Sequence, residues 1–127
     1  MENLNIIKTT QTPKVSFDAQ KGTLYISGRS LPEDSSKFFK PLFTWLDKYF
    51  ENPQKETFAK FELDYFNTSS AKAIFSILMK LEKMNYSGHP ISIEWLYDAD
   101  DEDMFDLGEE YKDLFKMPIE LVRKDNE

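Results

Sequence analysis

The hydrophobic residues of this chain keep two rhythms in turn, and the alternation between them constrains the fold more than any other feature. Lys14-Val15-Ser16-Phe17-Asp18 and Thr23-Leu24-Tyr25-Ile26-Ser27 alternate apolar with polar, and Gly22 lies between them. That pattern predicts an antiparallel hairpin. Residues 4–8 read as a further short strand, set apart by Pro13 and a run of Thr and Gln. From Asp34-Ser35-Ser36 the rhythm lengthens, and Phe39, Leu42, Phe43, Leu46, Tyr49 and Phe50 fall three and four apart. They share one face of a helix that Pro32 and the capping candidates Asp34, Ser35 and Ser36 begin and Asn52-Pro53 ends.

The two rhythms then alternate twice more. Residues 58–65 place Ala59, Phe61, Leu63 and Tyr65 on one face of a strand and Lys60, Glu62 and Asp64 on the other. Ala71, Ile74, Ile77, Leu78, Leu81 and Met84 then follow a helical spacing up to Ser87-Gly88, with Lys72, Lys80 and Lys83 facing out. Ile91, Ile93, Trp95 and Tyr97 share a strand face; a third helix spans 101–115 through Met104, Leu107, Tyr111 and Leu114; a last strand covers 119–122. Strands that alternate with helices predict an α/β fold with a mixed sheet, right-handed crossovers and three main helices packed mainly on one face. A length of 127 residues fits one domain. Asp125-Asn126-Glu127 reads as a frayed end.

Composition narrows the function classes. There is no cysteine, so disulfides, thiolate metal sites and a cysteine nucleophile are excluded, and a reducing cytoplasm is the expected setting. No apolar run approaches the roughly 20 residues of a membrane helix, and the first residues lack the pattern of a signal peptide. A net charge of −7 disfavours phosphate backbones and anionic lipid, so neither nucleic acid nor a membrane surface is an expected partner. The single histidine, His89 before Pro90, reads as a loop residue.

Constellations that carry catalysis are missing from the pattern. Asp98, Asp100, Glu102 and Glu109 fall at positions one, three, five and twelve of an EF-hand loop, but Asp103 stands where that loop turns on Gly. The acidic run therefore reads as the start of the third helix, where carboxylates complement the dipole. There is no GxSxG elbow, no Walker loop and no GxGxxG fingerprint; Glu109 and Glu110 read as solvated helix residues. The expectation is a protein that is not an enzyme, with no catalytic residues, no metal and no cofactor.

What remains is Leu63-Asp64-Tyr65-Phe66-Asn67-Thr68-Ser69-Ser70-Ala71-Lys72-Ala73, where a strand passes straight into a helix through four small polar residues. Asn67 or Thr68 can cap the helix, and a phosphate on a hydroxyl here would meet the free amides of the first turn and the positive end of the dipole. Tyr65-Phe66-Asn67-Thr68-Ser69-Ser70 with Ala71-Lys72-Ala73-Ile74 resembles the phosphorylation segment of the SiaC family of bacterial regulatory phosphoproteins. Ser27-Gly28-Arg29-Ser30-Leu31-Pro32-Glu33-Asp34-Ser35 is similar to that family's Gly and Pro-Glu-Asn-Ser segment, with Asp34 in place of Asn, and Ile93-Glu94-Trp95-Leu96-Tyr97-Asp98 is similar to its late strand.

The resemblance implies a STAS-like regulatory domain, similar in fold to anti-sigma-factor antagonists, acting in signal transduction by partner switching. It implies that Thr68 is phosphorylated by a cognate protein kinase and dephosphorylated by a PP2C-like phosphatase. It also implies that the unphosphorylated form binds and activates a partner such as a diguanylate cyclase, a link to cyclic diguanylate signalling. The partner-binding residues expected are Asn67, Thr68, Ser69, Ser70 and Lys72, on a protein expected to be a monomer. Against the antagonists' Asp-Ser-Ser-Gly, the chain has Asn67, Thr68, Ser69 and Ser70, which favours the SiaC-like branch over an anti-sigma-factor antagonist. A small-ligand-binding domain is the reading left from another class.

Overall fold

Nine elements follow in the computed structural model, which describes residues 1–124. They are β1 (Leu4–Ile6), β2 (Lys14–Asp18), β3 (Thr23–Ser30), α1 (Ser35–Tyr49), β4 (Thr57–Phe66), α2 (Thr68–Tyr86), β5 (Ile91–Asp98), α3 (Glu102–Leu114) and β6 (Ile119–Lys124). Asp125-Asn126-Glu127, expected as a frayed end, lies outside the described residues.

The strands form one sheet in chain order, β1-β2-β3-β4-β5-β6. The first three are antiparallel; β3 to β6 run parallel, each joined to the next through a helix. When every parallel crossover has the same hand and steps to the next strand in the same direction, every helix must fall on the same side of the sheet. Burial agrees: Leu24, Ile26, Ala59, Phe61, Leu63, Ile93 and Trp95 from the strands join Phe39, Leu42, Leu46, Ile74, Ile77, Leu78, Leu81 and Met104 from the helices in one core. Lys60 and Glu62 lie on the opposite, wetter face, as the alternation predicts. The fold is α/β, with one sheet layer and one helix layer.

Each element ends for a local reason. Gly22, at φ +68°, turns the hairpin, and a Cβ there would stand 2.7 Å from the Glu56 carbonyl oxygen. Asp34 caps α1 by accepting from Lys37 N at 3.1 Å, and α1 stops before Asn52-Pro53. Asp101 caps α3 by accepting from Met104 N at 3.0 Å, with Glu102 and Asp103 in the first turn, so the acidic run does start a helix.

Three expectations need correction. The alternation puts Tyr65 with Ala59, Phe61 and Leu63, yet it is 55% exposed, because the β3–β4 register shifts after Gly28. Gly28 pairs with Leu63 but Arg29 pairs with Tyr65, which leaves Asp64 as an extra residue and turns Tyr65 to the other face. Leu114 was placed on the inner face of α3, yet it is 60% exposed while Phe115 is buried, because the helix ends there and the chain turns extended at Phe115. Two strand ends also differ: β1 stops at Ile6 and not at residue 8, and the last strand runs two residues further than expected, to Lys124, whose backbone pairs with Asp98.

Candidate functional site

The carboxyl ends of β3 and β4 lie side by side, and each strand hands directly to a helix. Asn67 is held at this junction by its own N–H, which donates to the carbonyl of Ser30 at the end of β3 (3.1 Å). Its backbone is extended (φ −82°, ψ 175°), and its carbonyl accepts from Ala71 N at 2.9 Å, so the helix starts at Thr68. The Asn67 side chain accepts from Ser70 N at 2.9 Å, one of the four amides that a helix start leaves over. The amides of Thr68 and Ser69 have no such partner among the described residues.

The three consecutive hydroxyls that follow are put to different uses. Ser70 is fully buried: its Oγ donates to the Ser30 carbonyl at 3.1 Å and lies 2.8 Å from Ser30 Oγ. Although expected among the partner contacts, its side chain faces Ser30 and not the surface. Ser69 is exposed, but its hydroxyl donates to Asn67 Oδ1 at 3.1 Å and sits 2.6 Å from Ser35 Oγ in the first turn of α1. That contact ties the two helix starts together. Thr68 is exposed, and its hydroxyl has no hydrogen-bond partner among the described residues. Of the three, Thr68 alone carries an exposed hydroxyl without a hydrogen-bond partner among the described residues, beside two unpaired amides and the positive end of α2.

Charged groups surround this junction, with Glu33 and Asp34 exposed at the start of α1. Lys72 is exposed one turn further along α2, and Arg29 is exposed at the end of β3, opposite Tyr65 in the register. Neither makes an ion pair among the described residues. The nearest carboxylate of β4, Asp64, faces Lys124 at 3.3 Å, and Lys124 also lies 3.8 Å from Asp98. The sequence pattern does not show that Tyr65 and Arg29 are exposed side by side, because the bulge that turns Tyr65 out has no signature in the alternation of residue types.

Other features stand apart from this junction. An open groove of about 670 Å³ runs between the N-terminal residues and α1, lined by Met1, Leu4, Pro41 and Trp45 with Lys40 and Lys48. Trp45 Nε1 donates to the Glu2 carbonyl at 2.9 Å along its floor. Burial, and after it the charge of Glu110, pushes the Tyr111 phenol above its ordinary pKa, so it stays protonated while packing edge-on against Trp95. Among the described residues no helix is long and apolar enough to cross a membrane.

Known proteins share this sequence pattern and fold. A family model described as SiaC family regulatory phosphoprotein matches residues 6–124. An uncharacterised protein of Pseudomonas aeruginosa strain UCBPP-PA14 is 34% identical over 125 residues, covering 98% of this chain and 99% of that protein. The crystal structure of apo-SiaC from Pseudomonas aeruginosa superposes with a TM-score of 0.88 at 33% identity, over 96% of this chain and 99% of the other. A chain in the crystal structure of the diguanylate cyclase SiaD in complex with its activator SiaC, also from Pseudomonas aeruginosa, gives 0.90 at 33% identity, over 95% and 99%.

Proposed function

The chain belongs to the SiaC family of regulatory phosphoproteins, and from that membership we propose that it is a phosphorylation-controlled protein-binding switch whose modified residue is Thr68. The sorting of the three hydroxyls carries this reading. Ser70 is locked against Ser30, Ser69 is held between Asn67 and Ser35, and Thr68 is open at a helix start that welcomes negative charge. A cognate kinase can modify Thr68 without unfolding anything, and a PP2C-like phosphatase can reach the product by the same approach.

The surface around Thr68, with Asn67, Ser69 and Lys72, is where a partner docks in the unphosphorylated state. A relative is described as the activator of the diguanylate cyclase SiaD, so a diguanylate cyclase is the partner class proposed here, bound and activated by the unphosphorylated form. The protein acts as a monomer towards it.

The test is incubation with ATP and the cognate kinase, peptide mapping, and binding of the unmodified and modified protein to the purified cyclase of the host. One phosphate on Thr68, none in Thr68→Ala, and cyclase binding by the unmodified form are expected. Phosphate on Ser69, or full incorporation into Thr68→Ala, would refute the site. Retention of a sigma-factor-binding kinase in place of a cyclase would move the protein to the anti-sigma-factor antagonists.

A further inference from the structure

The register shift in β4 does two things at once: it brings Phe66 against the core and it turns its neighbour out. Up to Leu63 the strand places every second residue in the dry layer, and the extra residue Asp64 then turns Tyr65 out to solvent, where it is 55% exposed. Without the bulge the strand's alternation would carry Tyr65 inward. A bulge disrupts the ladder locally, and bulges gather next to functional sites because they re-aim a side chain. Here the re-aimed side chain is a tyrosine three residues before Thr68, on the outer face beside Arg29. Tyrosine and arginine are the residue types that most often dominate protein-protein binding energy.

Charge points the same way. The protein carries a net charge of −7, yet two cations at this junction, Arg29 and Lys72, make no ion pair among the described residues, while of the carboxylates at the neighbouring helix start Asp34 is taken up by the Lys37 amide and Glu33 is exposed. The nearby carboxylate, Asp64, is turned towards Lys124. We infer that Tyr65 is the aromatic anchor of the docking surface around Thr68, and that Arg29 and Lys72 select a partner surface which offers an apolar pocket rimmed by carboxylates. This rests on the switch proposed above and adds the chemistry of the partner to it. It also gives the phosphate a direct mode of action: it adds negative charge to the junction that carries the two cations, against the partner's carboxylates.

The test measures binding of the unphosphorylated protein to the purified host cyclase, with Tyr65→Ala and Arg29→Glu beside the wild type. Both side chains are exposed, so both variants are expected to keep the wild-type circular dichroism and melting temperature and to accept phosphate on Thr68. Tyr65→Ala is expected to raise Kd at least tenfold. Arg29→Glu is expected to raise it severalfold at low salt, with the difference shrinking as salt is added. If the wild type binds and Tyr65→Ala binds as tightly, Tyr65 is no anchor and the inference fails while the switch stands. If Arg29→Glu binds as well as wild type at low salt, the acidic partner surface is refuted. A wild type that holds no cyclase overturns the functional reading and this inference with it.

Discussion

Ser70→Ala removes a buried hydroxyl that donates to the Ser30 carbonyl and lies 2.8 Å from Ser30 Oγ, itself fully buried. Ser30 Oγ loses its partner where water cannot replace it, while the Ser30 carbonyl keeps the Asn67 N–H, so the expected loss is about 1 to 3 kcal/mol in urea denaturation. Thr68→Ala removes an exposed hydroxyl with no partner among the described residues, and alanine favours the helix, so stability should stay within about 0.5 kcal/mol of wild type. Asn67→Ala loses the cap on Ser70 N and should cost about 1 kcal/mol. A Thr68→Ala protein less stable than Ser70→Ala would reverse the assignment of roles. This distinction could be read only partly in the sequence. Asn67-Thr68-Ser69-Ser70 shows a helix start, but which hydroxyl is buried depends on Ser30, forty positions away, and which is tied depends on Ser35.

Elements were legible wherever one rhythm ran unbroken. The strands and helices fall where the alternation places them, because a half-buried strand and a helix packed on one face each impose their own period. Legibility fails where a single residue breaks the period, at the Asp64 bulge and at the end of α3. It also fails for Gly108, a helical glycine whose role appears only in the packing: a Cβ there would stand 2.5 Å from Leu121 Cδ2 and 2.6 Å from Trp95 Cδ1. Trp95 cannot swing aside, since it is buried and its Nε1 donates to the Met104 carbonyl at 3.0 Å. Gly108→Ala would gain about 1 kcal/mol of helix propensity and lose about 1 to 3 kcal/mol to overpacking against a rigid ring. A net loss is expected, seen as a lowered melting temperature; an unchanged or raised one would mean that α3 slides on the sheet. Calcium titration should give no single-site isotherm, because Asp101 holds Met104 N and Asp98 lies beside Lys124. A saturable site lost in Asp98→Ala and Glu109→Ala would contradict that.

At the scale of the whole molecule, a phosphate on Thr68 would act on two free energies. The core lies between the dry face of the sheet and the helix layer, while Thr68 sits outside it at the end of the strands. Roughly −1.5 to −2 charges added there meet two unpaired amides and the dipole of a 19-residue helix, with Lys72 one turn away. The fold should gain up to about 1 to 2 kcal/mol or stay neutral, so phosphorylation is not expected to unfold α2. A partner packed over the same junction faces the opposite balance. It must strip water from a dianion, or bring its own carboxylates against it, at a cost of several kcal/mol unless it supplies a cation. The proposed switch is therefore expected to operate in the interface and not through the fold. Phospho-Thr68 protein is expected to keep its circular dichroism and keep or slightly raise its melting temperature, while binding the cyclase at least about tenfold more weakly, about 1.4 kcal/mol. Added salt should narrow the gap between the two forms, because part of the penalty is repulsion at the exposed rim. Loss of helix signal on phosphorylation would place the switch in the fold, and equal binding by both forms would remove Thr68 from the interface.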